Sequence, residues 1–273
     1  MAISDITLGA GMRENLSSLQ LTSALMARTS ERLATGLKVN NAVDDPTAFF
    51  AAQAHRARAS DLAGLKDGMG EAIQTVQAAN EGLEAITSLI EQARGLVQAA
   101  RSASAAEAVD LSAQFDEIIA QIDAVAADSG YKGVNLINGG ALTVTFNEDG
   151  SSTLGIHTTT TFTATSTGDF VVTTGVDFAV AANLDTAVGE LDVMRDQVRS
   201  EAKTLSANLG VITARQEFTT GMIATLQVGA DNLTVADENE ESANMLALQT
   251  RQQISIATLG MTSQAQQSIL RLF

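Results

Sequence analysis

Apolar residues recur along this chain at alternating steps of three and four, the spacing that lines one face of an α-helix and, when sustained, one seam of a coiled coil. The longest uninterrupted series is Leu65, Met69, Ala72, Val76, Ala79, Leu83, Ile86, Ile90, Ala93, Val97 and Ala100. It predicts a long helix with a continuous apolar stripe. A shorter helix follows on Leu111, Phe115, Ile118, Ile122 and Val125 and should end at Ser129-Gly130. Helical spacing returns at Leu184 and runs through Val188, Leu191, Arg195, Val198, Ala202, Leu205, Leu209, Ile212, Gln216, Thr219, Ile223, Leu226 and Ala230 to Leu233, with only Arg195, Gln216 and Thr219 as polar exceptions. At ~1.5 Å per residue this run is about 75 Å long, whereas a compact globule of this chain length has a radius of gyration of ~18 Å. The pattern therefore predicts a rod.

Both ends carry seams of a different kind. Leu16, Leu19, Ser23, Met26, Ser30, Leu33 and Leu37 alternate steps of three and four with small polar residues among them, and Ala243, Ala247, Thr250, Ile254, Ala257, Met261, Ala265, Ile269 and Leu272 do the same at the other end. The face opposite this second stripe carries Gln249, Gln252, Gln253, Gln264, Gln266 and Gln267 and no acid. A solvated helix face is usually rich in Glu and Lys, so an amide face points to contact with other chains or with a channel.

Between the helices the periodicity changes. Gly133, Gly139, Gly140, Gly150 and Gly155 punctuate short β-branched runs such as Leu142–Phe146 and Phe170–Thr174, which predict hairpins and loops over 131–183. Asn40 to Pro46 reads as a helix break and restart, with Asp45 as cap and Pro46 in the first turn. Asp237 and Glu240 are placed to form a cap and capping-box pair for the last helix. The expected fold is mainly α: a long antiparallel coiled-coil helical rod with a small β-hairpin insertion at one end. Its expected divisions are a terminal coiled coil from 1–43 plus 234–273, a helical rod domain from 44–130 plus 184–233, and a β-rich surface insertion over 131–183.

Charge sharpens this division. Residues 1–43 net +1 and 242–273 net +2, which leaves −19 on 44–241 of a total of −16. Two nearly neutral ends flank an acidic middle. Nucleic acid is excluded as a partner, because phosphate contacts need a basic face. No apolar run reaches the ~18 residues that span a bilayer, and no signal-peptide pattern opens the chain. The absence of Cys removes thiol chemistry and most structural zinc. With 4% aromatics and no Trp, packing must rest on Ala, Leu, Ile and Val, the composition of helices meeting along seams. Arg94 and Arg101 flank the all-apolar seam without joining it, and are expected to neutralise acids on neighbouring helices or subunits.

Two terminal signatures give this pattern a family. Ser30-Glu-Arg-Leu-Ala-Thr-Gly-Leu-Lys-Val-Asn-Asn-Ala-Val-Asp-Asp-Pro46 resembles the N-terminal signature of bacterial flagellin, and Glu241-Ser-Ala243, Leu248-Gln249 and Gln252-Gln253 through Gln267-Ser-Ile-Leu-Arg-Leu-Phe273 resemble its C-terminal signature. Ser129 to Leu136 is similar to the family's turn before its variable region, with Lys132 where family members commonly carry Asn. The resemblance covers about 1–138 and 184–273, leaving a reduced central region. It implies a subunit that is secreted unfolded through the flagellar channel and polymerises into the extracellular filament used for swimming. The terminal helices would form the inner tube and the acidic seam helices the outer tube.

On this reading Leu16, Leu19, Met26, Leu33, Leu37, Ile254, Ala257, Met261, Ala265, Ile269 and Leu272 form the subunit interface. The chain itself is the main partner, in a helical homopolymer. The export apparatus and its chaperone, the filament cap and the hook-junction proteins are the others; no membrane insertion and no cofactor are expected. Thr158, Thr159, Thr160, Thr161, Thr163, Thr165, Ser166 and Thr167 offer hydroxyls for O-linked sugars such as those many flagellins carry. Three other classes compete. The nearest is a hook-filament junction protein, whose ends resemble flagellin's but whose middle is usually larger. A chemoreceptor-like coiled coil would need a helical tip and normally a membrane segment. An enzyme would need more than His55, expected on a solvated helix face, and His157, expected in a loop; there is no His-Glu-x-x-His.

Overall fold

The computed structural model describes residues 10–157, 164 and 171–270. These form helices α1 (Ala10–Thr35), α2 (Pro46–Ala100), α3 (Ala105–Asp128), α4 (Ala181–Thr234) and α5 (Glu238–Leu270), and strands β1 (Ala141–Thr145) and β2 (Thr153–His157). The architecture is mainly α with one small antiparallel two-stranded sheet, as the periodicities predict. The chain divides into two compact units, Arg58–Ala224 and the two ends, Met1–Ala57 with Thr225–Phe273.

In the unit from Arg58 to Ala224, every seam residue of α2 from Met69 to Ala100 is buried, and Leu65 packs at the edge of the same cluster. The α4 seam buries Leu184, Leu191, Val198, Leu205 and Ile212, together with Ala187 and Met194. In α3 the buried positions are Ala108, Phe115, Ile119, Ile122 and Ala126. Leu111, Ile118 and Val125, expected in the seam, lie at its rim instead. The seam has rotated by about one position because α3 buries a second flank against the segment that precedes α4. There Phe178 meets Phe115 edge to face, with ring centroids 5.1 Å apart. These two are the largest fully buried side chains. Phe115→Ala should therefore cost about 3–5 kcal/mol, the range for emptying a buried aromatic site, and a urea titration should show the midpoint moving down with an unchanged slope.

Two close approaches fix the turn after α3. A Cβ on Gly82 would fall 2.1 Å from Ser129 Oγ, so α2 passes the end of α3 where only glycine fits. Asn135 then ties the turn down. Its Nδ2 donates to the carbonyls of Ala126 and Ala127 at 2.7 and 2.9 Å, and its Oδ1 accepts from the Ile137 and Asn138 amides at 3.0 Å. Lys132 sits in the left-handed region at φ 48. That conformation suits Asn far better than Lys, so the departure from the family pattern falls on a strained position, where the Lys132 ammonium is held 2.6 Å from Glu71. The start of α3 is closed by a reciprocal capping box. Ser104 Oγ accepts from the Glu107 amide, and the Glu107 carboxylate accepts from the Ser104 amide at 2.9 Å. This backbone bond holds the Glu107 carboxyl below its usual range.

β1 and β2 pair in register from Ala141 with His157 to Thr145 with Thr153. His157 is thus a strand residue and not a loop residue. The run Phe170–Thr174, expected to be a strand, forms no ladder over its described part, 171–174. Its alternation has another cause: Val172 is buried and donates its amide to Ala164 O, while the neighbouring amides are taken by carboxylates. Thr173 N donates to Glu190 at 2.8 Å and Gly175 N to Asp116 at 3.1 Å.

The second unit holds α1, the first turns of α2, the end of α4, and α5. Gly36, at φ 71, ends α1 and donates to Arg32 O at 2.8 Å. The chain that follows pairs with the break between α4 and α5. Lys38 N donates to Thr234 O at 2.8 Å, Ala236 N to Gly36 O at 2.9 Å, and Leu37 bridges Val235 antiparallel. Asp45 Oδ1 accepts from the Thr47 and Ala48 amides at 3.0 and 3.1 Å and starts α2, as expected of a cap before Pro46. Asp237 Oδ1 caps α5 through Asn239 N and Glu240 N at 2.9 and 3.3 Å.

Candidate assembly surface

α1 and α5 pack against each other, and the residues that meet are mostly not those of the apolar stripes. On α1 the inward positions are Met12, Asn15, Leu19, Thr22, Met26, Thr29 and Leu33, and on α5 they are Glu241, Met245, Leu248, Gln252, Ser255, Leu259 and Thr262. Each series keeps the three-four alternation of a heptad seam. Only Thr22, Thr29 and Glu241 are buried on them. Thr22 Oγ1 donates back to Ser18 O at 2.8 Å, and Arg32 Nη1 lies 2.7 Å from Glu241 Oε1. The seam is therefore small, polar and clamped by one ion pair.

The expected interface residues divide between its two sides. Leu19, Met26, Leu33 and Leu37 are half-buried. Leu16, Ile254, Ala257, Met261 and Ala265 face outward, with Ile254 62% and Met261 64% exposed. The side chain of Ile269, and Leu272, lie outside the described residues. Leu21, Leu25, Leu246 and Ile256 join the outward set, and no sequence stripe singled them out. What periodicity did miss is that α5 carries two heptad seams one or two positions apart, while on α1 the inward series shares Leu19, Met26 and Leu33 with the expected one and differs at alternate positions. The richer apolar one, Ala243 to Ala265, is turned away from the partner helix. On the amide face Gln249, Gln253, Gln264 and Gln267 are exposed, while Gln252 turns inward.

The acidic middle shows a second polar arrangement. Arg94 Nη1 is 2.9 Å from Asp192 Oδ1, and Arg101 Nη2 is 2.6 Å from Asp185 Oδ1, so one arginine on α2 and one in the turn just after it reach acids on α4. Asp192 is shared. Arg195 Nη1 also lies 2.9 Å from it, on a guanidinium whose side chain is only 19% exposed and whose Nε has no partner. Asp192→Ala leaves that guanidinium with the longer 3.4 Å contact to Asp196 alone, so it should cost about 1–3 kcal/mol. Asp185, 70% exposed, should cost below about 1 kcal/mol when replaced by Ala. Thermal unfolding of the full-length variants side by side checks the order.

His55 is half-buried, with its Cδ2 3.8 Å from where a Cβ on Gly229 would stand, and not fully solvated as expected. Thr158 to Thr161, Thr163, Thr165, Ser166 and Thr167 lie outside the described residues. Among the described residues no helix is long and apolar enough to cross a membrane, and no group of His, Cys, Asp or Glu is arranged to hold a metal ion.

Comparison with known proteins places these features. Residues 10–141 match the family model of the bacterial flagellin N-terminal helical region, and residues 188–273 that of the C-terminal helical region. The chain is 28% identical over 277 residues to flagellin FljN of Caulobacter vibrioides, covering 100% of both chains. It is 25% identical to a flagellin of Brucella melitensis, covering 94% of this chain and 95% of that one. Among solved structures it is similar to Bacillus cereus flagellin, with 16% identity, a TM-score of 0.48, and coverage of 56% of this chain and 88% of the other.

Proposed function

We propose a filament architecture for this chain, which belongs to the bacterial flagellin family. Its function is structural: it is a subunit that polymerises with copies of itself into the extracellular flagellar filament that drives swimming. Within that filament, residues 1–43 with 234–273 form the inner tube, residues 44–130 with 184–233 the outer tube, and 131–183 the outer surface. The observation that carries this reading is the orientation of the terminal helices. Although α1 and α5 pack against each other, Leu21 on α1 and Leu246, Ile254 and Met261 on α5 stay exposed, and exposed apolar side chains grouped together mark an interaction surface. Neighbouring subunits are the partners that cover them.

Export through the flagellar channel with a chaperone, growth under a cap and attachment to hook-junction proteins complete the partner set of this reading. The hydroxyls of Thr158 to Thr167 would carry O-linked sugars on the outer surface. Intact mass of native filaments decides that point, since a mass equal to the bare chain removes the sugars. A filament subunit needs no catalysis, and the family match supports a junction protein no better than a filament subunit. Seeded polymerisation followed by electron microscopy tests the whole reading: long helical filaments are expected, and purified protein that binds seeds without elongating them would mean a junction protein.

A further inference from the structure

The groove between α1 and α5 contains a cationic pocket in a chain that is otherwise strongly acidic. It has a volume of about 330 Å³ and is lined by Arg28, Thr29 and Arg32 from α1 and by Glu241, Asn244 and Arg251 from α5, among others. Glu241 is the single acid there, and it is already committed: it is buried and pairs with Arg32 at 2.7 Å. Arg28 and Arg251 have no acidic partner within salt-bridge distance among the described residues, and both are exposed. After Glu241, α5 carries no further acid to Leu270. The pocket lining therefore holds three arginines against one glutamate, a local excess of two positive charges.

We infer that this pocket receives carboxylate side chains from the acidic 44–241 stretch of a second copy of the chain. The inference rests on the filament reading and names one of its contacts. Charge complementarity chooses the occupant. Residues 44–241 carry −19, so copies packed side by side repel unless part of that charge meets cations. Arg28 and Arg251 are cations that the fold leaves unspent. The planar guanidinium fork binds carboxylates with two parallel hydrogen bonds, which a Lys at the same place would not do. A helical polymer also requires heterologous contacts, in which one patch on a subunit meets a different patch on the next. A basic pocket on the terminal helices facing an acidic surface from the middle of the chain meets that requirement. The exposed apolar side chains of α5 give adhesion without register; a pair of arginines beside them fixes where the neighbour sits.

The test uses the full-length chain on wild-type seeds. The double variant Arg28→Glu/Arg251→Glu should raise the critical concentration for elongation roughly tenfold or more, since like charges replace attraction across the contact. Arg251→Lys keeps the charge and should elongate close to wild type. It also introduces an amine, so a water-soluble carbodiimide applied to mixed filaments of isotopically heavy and light subunits should join that amine to an Asp or Glu of 44–241 on a different copy. Elongation of the double variant at the wild-type critical concentration would overturn the inference, as would cross-links found only within single chains. Failure of the wild-type chain to elongate is a separate result, and it would remove the filament reading together with this contact.

Discussion

A chain cut to residues 58–224 is expected to fold cooperatively and to show no detectable elongation on seeds at any concentration that supports the full-length protein. The core explains the first half. The contiguous buried cluster begins at Met69 and ends at Ile212, so the cut removes none of it, nor the Phe115 and Phe178 pair, nor the ion pairs on Asp192 and Asp185. The buried residues lost outside the cluster, such as Ala52, Leu226, Ala230 and Ala236, belong to the other unit or its margin. The second half follows from what leaves with the ends. Helices α1 and α5, with Leu21, Leu246, Ile254 and Met261 turned to solvent, are gone, along with the pocket at Arg28 and Arg251. Circular dichroism should show a helical, cooperatively melting protein, and sedimentation should show a monomer. A truncated chain that still adds to seeds would move the principal contacts into 58–224.

How far the sequence carried the fold depends on how much each helix buries. For α2 the apolar stripe is uninterrupted from Met69 to Ala100, and periodicity named the buried residues of that stretch correctly. In α3 two flanks are buried, and Ile119 and Ala126 displaced Ile118 and Val125, because a helix packed on two sides has no single stripe to read. Over 171–174 no ladder forms, for a reason that composition does not show: Glu190 takes the Thr173 amide and Asp116 that of Gly175 just after it.

At the ends periodicity found true helices but misplaced part of the inward face. Thr22 and Thr29 occupy the inner seam where Ser23 and Ser30 were expected, and Glu241 with Gln252 occupies it on α5. On α5 the seam with more polar residues faces inward and the more apolar one faces out, whereas on α1 Leu19, Met26 and Leu33 belong to both. A hydrophobic pattern finds the stronger seam, which on a subunit made to assemble belongs to a partner that a single chain does not contain. Arg94 and Arg101 were found as cations beside the apolar seam, while Arg195, the more buried member of the same network, was legible only as an interruption of the α4 stripe.

That inward seam sets the last expectation: in the free subunit α1 and α5 should exchange their amide protons at least about a thousandfold faster than α2 between Met69 and Val97. Ordering the backbone costs ~1–2 kcal/mol per residue, and helices in water hold only marginally without tertiary burial. α1 has 26 residues to order, yet against α5 it buries no large apolar side chain, only Thr22 and Thr29, with Glu241 opposite. The Arg32 and Glu241 pair adds a local clamp at one end and nothing toward Leu270. α2, by contrast, lies in the cluster whose opening requires unfolding of its whole unit, and a domain stability of ~5 kcal/mol or more protects its amides by three decades or more. In filaments the ratio should collapse, because neighbouring copies then cover Leu246, Ile254 and Met261. Exchange measured by mass spectrometry on monomer and filament decides it, and slow exchange across Ile254 to Leu270 in the monomer would mean that these helices are stable without partners.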